Sequence, residues 1–120
     1  MFRFVSLGVS VIFLILFVLL AFLPATYVAT YGVEGDAGAI FMGRRASPMF
    51  FGLALLMWQA RDAPASSLRS TICWAMAVLF AGIAVTGIIE YSNGTAEAVI
   101  LIAALGELIV AALFVGVRDR

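Results

Sequence analysis

AEAVILIAALGELIVAALFVGV, residues 96–117, is the stretch on which the fold turns. Beyond Glu97 near its start it is an apolar run of about the 20 residues that carry a helix across a bilayer, and Glu107 interrupts it near the middle. An ionisable group at that depth is costly unless it is paired. The run is therefore expected to be a membrane helix whose carboxylate serves a function or a buried ion pair.

The rest of the chain repeats the pattern. Apolar residues make up 65% of the sequence and charged residues 12%, against roughly 45–50% and 25% in soluble domains. A soluble globule is excluded. The 120 residues have room for four spans and no separate extramembrane domain, and the longest weakly charged stretches are 4–23, 40–60, 70–90 and 97–117. The expected fold class is an all-α, integral membrane four-helix bundle in one domain. Pro24 to Ala39, Arg61 to Arg69 and Tyr91 to Ala96 read as loops, rich in Gly, Ser, Thr, Asn or Pro. The first span follows one basic residue, as a secretory signal would. Its apolar core is longer than a signal core and no small-x-small cleavage site stands near Ala25, so it reads as a retained helix.

Formal charge is zero, which gives nucleic acid or an anionic surface no global attraction. The distribution matters more. There is no lysine, and five of the seven arginines (Arg3, Arg61, Arg69, Arg118, Arg120) fall on one side of a four-span chain, with Arg44 and Arg45 on the other. The positive-inside bias makes both termini cytoplasmic. Trp58 and Trp74 border one interface and Tyr27, Tyr31 and Tyr91 the other, as aromatic belts do.

Cys73 is the sole cysteine and histidine is absent. That removes an intramolecular disulfide, His-based metal or haem ligation, and Ser/His or Cys/His nucleophile pairs. Cys73 reads as packing. No cofactor is expected.

With Glu107 at the origin of a helical wheel, Ala103, Ala104 and Ala111 lie within about 60° of it, and large aliphatics from Leu101 to Leu113 occupy the other side. Small residues let membrane helices approach closely while large aliphatics suit lipid, so Glu107 is expected on the inner face. Its candidate partners are Arg44 and Arg45. Counted at 1.5 Å per residue, Arg45 lies roughly 22 Å and Glu107 roughly 15 Å from the inner face, a gap of about one arginine side chain. Contact is direct or through water. Glu90, roughly 30 Å up its span, reaches the outer rim. It either completes a cluster of Arg44, Arg45, Glu90 and Glu107 or stands solvated. The alternative for Arg44 and Arg45 is to snorkel to headgroups, with Ser47 capping a helix that begins at Pro48. Such a helix, 13 residues to Ala60, spans only roughly 20 Å, so a helix starting near Ala39 and kinked at Pro48 is preferred. Small residues four apart (Ala77, Ala81 and Val85, Gly82 and Thr86, Ala112 and Gly116) are expected to pack the bundle.

GRRASPMFFGLALLMWQARDAPASSLR (Gly43–Arg69), GIIEYSNG (Gly87–Gly94) and ALGELIVAALF (Ala104–Phe114) resemble the small bacterial membrane proteins of domain-of-unknown-function family 4345, which are broadly DoxX-like. The resemblance covers most of the chain and matches least over the first span and Pro24 to Ala39. It implies a four-helix bundle in a bacterial inner membrane, with Arg44 or Arg45 and Glu107 at the matching positions, and brings no reaction.

Three functions compete. A non-enzymatic accessory or structural membrane protein, packed in a larger complex or homo-oligomer, suits the size and the lack of catalytic residues. A transporter or proton-linked binding protein would use Glu107, although small four-helix exporters carry their glutamate in the first helix, and the first span here has no charge. A lipid- or quinone-linked accessory rests on the DoxX-like similarity. The first is the expectation, with membrane lipid as partner and no nucleic acid.

Overall fold

The computed structural model describes residues 1–119. The described chain is helical: α1 (Phe2–Phe22), α2 (Pro24–Ala29), α3 (Ala37–Ala60), α4 (Ser67–Ser92) and α5 (Val99–Val117). Three of these, α1, α4 and α5, are long and apolar enough to cross a membrane. With 24 residues α3 has the length but not the composition, because Arg44, Arg45, Pro48 and Gln59 lie within it.

The helix ends follow local chemistry. Asp36 accepts the amide of Ala39 at 2.7 Å and so starts α3 three residues ahead of the span expected from 40. Ser66 does the same for α4 through the amide of Arg69 at 3.2 Å. The turn after α4 closes through Gly94, whose φ of 76° is left-handed and suits glycine. The segment from Pro24 to Ala39, expected as loop, holds α2. A proline at the first helical position is preorganised for a helix, and Pro24 is buried.

The chain divides into two compact units. One comprises Met1–Val5 with Asp62–Arg120 and the other Ser6–Arg61. In the first unit α4 and α5 pack antiparallel across a short turn. The buried face of α4 runs Arg69, Cys73, Met76, Ala77, Phe80, Ala84, Gly87, a helical repeat that faces one side. On α5 the buried residues are Ala104, Ala111, Phe114 and Val117. Phe80 stacks on Phe114 with centroids 6.4 Å apart. A Cβ on Gly87 would come within 3.3 Å of Ile100, so the helices approach closely there. Ala77 takes part in this seam, whereas Gly82, Val85, Thr86, Ala112 and Gly116, expected to pack, are exposed because they lie on the far sides of the two helices.

In the second unit α1 packs on α3 through Phe13 against Phe50 (5.9 Å) and Phe17 against Phe51 (5.1 Å). α2 lies on α3 at Gly43, where a Cβ would stand 3.1 Å from Pro24. α3 runs unbroken through Pro48, as the length argument required, with Arg44 and Arg45 on it. Proline has no N–H, so Pro48 leaves the carbonyl of Arg44 without its helical partner. The Ser47 hydroxyl donates to that carbonyl at 2.8 Å, so Ser47 serves inside the helix rather than capping one.

Candidate functional site

Glu107 sits on α5 amid its buried residues. Ala104 and Ala111, one turn to either side, are buried, and Phe114 completes the same face. The carboxylate residue itself is half-buried. The opposite stripe is open, with Ile102 73% and Leu105 60% exposed, as the wheel required of the aliphatic side. Within this unit no side-chain hydrogen bond or ion pair reaches Glu107 among the described residues. Glu90 is exposed at the end of α4, and its backbone carbonyl accepts the amides of Thr95 and Ala96 in the turn to α5. Arg44 and Arg45 stand on α3 in the second unit, both exposed, with Arg45 Cζ 5.8 Å from the ring centroid of Phe41.

The densest polar cluster centres on a residue the sequence reading treated only as an interface charge. Arg69 is 6% exposed. Its Nη1 donates to the carbonyl of Ala63 and its Nη2 to the carbonyl of Arg118, each at 3.3 Å. Its guanidinium carbon lies 5.1 Å from the ring centroid of Phe2. One cation thus ties the start of α1, the segment before α4 and the C-terminal end of α5. Carbonyls at a helix C-terminus have no intrahelical donor and carry the negative end of the helix dipole, so a guanidinium is well matched to them. The signal was in the sequence: Arg69 stands four residues before Cys73 and eleven before Phe80, in register with the buried face of α4.

Around it, Arg3 pairs with Asp62 at 3.4 Å. Arg118 donates through Nε and Nη2 to Asp119 at 2.9 and 2.7 Å. The hydrogen bond from Arg118 holds the Asp119 carboxyl below its ordinary range and raises the arginine in turn.

Buried hydroxyls mark the second unit. Ser10 on α1 donates across to the carbonyl of Ala54 on α3 at 2.8 Å, while Ser6 Oγ, fully buried, has no hydrogen bond among the described residues. Apolar grooves flank the helices, two of them large. One of about 310 Å³ lies along α5 beside Met1, Ile109, Ala112, Leu113 and Gly116. The other, about 360 Å³, lies between α2 and α3 over Leu20, Pro24, Val28, Met42 and Gly43. Their linings are almost wholly apolar, so they accept aliphatic chains or side chains rather than polar substrates. Among the described residues no three His, Cys, Asp or Glu side chains gather as a metal site would need.

No family model matches the chain, and neither do curated proteins or solved structures.

Proposed function

We propose that the chain is a small multi-pass membrane protein with a non-enzymatic, accessory or structural role. In this reading α3 is the fourth span, both termini are cytoplasmic, and Glu107 pairs with Arg44 or Arg45. The observation that carries it is where the hydrogen bonds of the buried polar groups go. Ser10, Ser47 and Arg69 donate to backbone carbonyls, and none of these bonds points into a groove. The bonds of Ser10 and Arg69 join separate segments and so fix how they sit, and a buried ion pair likewise specifies arrangement more than it stabilises. The resemblance to family 4345, in the membrane of a bacterium, agrees with this reading.

Native mass spectrometry after extraction in mild detergent tests the role. A partner subunit or a defined homo-oligomer is expected. A monomer that retains a small molecule would favour the second reading, in which Glu107 is a proton-, lipid- or quinone-linked binding group. The half-buried Glu107, with no side-chain hydrogen bond among the described residues of its own unit, is what supports that alternative. Topology is checked by fusing a reporter active only in the cytoplasm after Arg120. Activity is expected there and not at Asn93, and the reverse would invert the orientation.

A further inference from the structure

Arg45 stands beside an apolar groove with no carboxylate against it. Among the described residues of its unit no ion pair or hydrogen bond reaches its side chain, whose guanidinium carbon lies 5.8 Å from the ring centroid of Phe41. Asp36, the nearest acid along the chain, takes the amide of Ala39 instead. The groove is the one of about 360 Å³ between α2 and α3. Pro24 and Tyr27 form one wall, and Ala39, Met42 and Ala46 the other. On α3 Arg45 lies about 60° round from Met42, at the rim, whereas Arg44 lies about 160° round, on the far side.

The packing of this unit also gives the depth. α1 has 21 residues and is roughly 30 Å long, the thickness of a hydrocarbon core, so its ends mark the two interfaces. α3 runs antiparallel to it, because Ser10 bonds Ala54 while a Cβ on Gly43 would stand 3.6 Å from Leu20. Gly43 is therefore level with the last turn of α1. Arg45 starts slightly deeper, but helical side chains lean toward the N-terminus, and its guanidinium over Phe41 returns to the end of α1. Cation and groove thus meet at headgroup level. Tyr27, edge-on to Tyr31 with centroids 5.5 Å apart, suits the same level.

We propose that this groove and Arg45 together hold one anionic phospholipid, its phosphate on the guanidinium and an acyl chain along the groove. The occupant has to be apolar over most of its length, anionic at one end and resident at the membrane surface. Free phosphate has no use for apolar walls. A second copy seated there by two-fold symmetry would bring its own Arg45 to the same interface, a like-charge contact. Arginine recognises a phosphate diester through N–H donors in its plane, and an aromatic ring against its face leaves that edge open. One arginine near an anionic surface enriches such a lipid about fivefold. The inference rests on the membrane reading above, and it gives Arg45 to the lipid so that Arg44 remains for Glu107.

Quenching of an indole by brominated acyl chains tests it. Tyr27→Trp puts the reporter in the groove wall, and Trp58→Phe with Trp74→Phe removes the two native indoles. This full-length triple variant is reconstituted into phosphatidylcholine vesicles containing brominated phosphatidylglycerol or brominated phosphatidylcholine at equal mole fraction. Brominated phosphatidylglycerol is expected to quench as if enriched about fivefold. Adding Arg45→Gln should bring the two lipids level. Ala46→Phe, which fills the groove at unchanged charge, should do the same. Circular dichroism checks that each variant keeps its helices, and Ala39→Leu, on the same wall, replaces Ala46→Phe where the larger side chain does not. Equal quenching by both lipids in the triple variant, or enrichment that survives Arg45→Gln, overturns the site. Enrichment that survives the filled groove reduces it to diffuse charge attraction and overturns it as well. If neither lipid quenches Trp58 and Trp74 of the native chain, the membrane reading itself fails, a different result from equal quenching by both.

Discussion

In the second unit the buried polar residues are serines: Ser6, Ser10 and Ser47. Among the described residues of the first unit the buried polar residue is Arg69, near the start of α4. The difference follows from what each group needs. A hydroxyl has a single proton to place, and one carbonyl suffices to take it, that of Ala54 through its second lone pair or that of Arg44 because Pro48 leaves it free, so serine is tolerated in mid-helix. A guanidinium has five N–H donors. It needs acceptors that no ladder uses, which occur at helix ends and in loops, as at Arg118 and Ala63. Depth along a helix thus sorts polar side chains by the number of partners they require.

The largest effect expected from this comparison is at Arg69. Arg69→Met should lower stability by about 2–4 kcal/mol, since two carbonyls lose their donor and the end of α5 its cation. Arg69→Lys should recover little, because a single ammonium lacks the planar fork. Unfolding in mixed detergent measures both, and a loss below about 1 kcal/mol for methionine would remove the contrast between the units.

Next comes the α4–α5 contact. Gly87→Val should cost about 1–3 kcal/mol by overpacking against Ile100 and shift the same unfolding curve. Glu107 with Arg44 or Arg45 follows. If the proposed pair forms, each single replacement should destabilise more than the double, with a coupling of about 1 kcal/mol, and additive losses would mean no pair. Ser10→Ala should cost about 0.6 kcal/mol, typical of a hydroxyl bond between membrane helices. Ser6→Ala, which removes a hydroxyl with no partner, should be neutral or slightly stabilising. Equal losses at the two serines would show that the Ser10 bond to Ala54 adds nothing.

The smallest effect is a pH dependence. Asp119 has a folded-state pKa below its unfolded one, so its contribution is fully present above the ordinary carboxylate range. It is lost as pH falls through the depressed folded value. Because the group is exposed, the acid limb of a stability profile should differ only slightly between the native chain and Asp119→Asn.

Hydropathy made α1, α4 and α5 legible, and length argued correctly that α3 runs through Pro48. The wheel also set Ala104, Glu107 and Ala111 on one face of α5, because helical period alone decides that. α2 was not legible: six residues are too few for a period, and Pro24 and Thr26 resemble loop chemistry. Arg69 was hidden for another reason. Beside a polar loop an arginine is ordinarily solvated, and burying this one depends on Phe2, Ala63 and Arg118, which lie far from it along the chain or on the other side of a proline. Small-residue spacing misled at Gly82, Thr86, Ala112 and Gly116 because the motif says that a close approach is possible and not which of several stripes is used.

The bond from Arg69 to the carbonyl of Arg118 also sets a schedule. Its acceptor lies 49 residues further along the chain, so during synthesis the guanidinium emerges well before its partner exists. At about 5–20 residues per second the interval is roughly 2–10 s, long compared with the formation of a helix. Through that wait α4 has its serine cap but not its clasp.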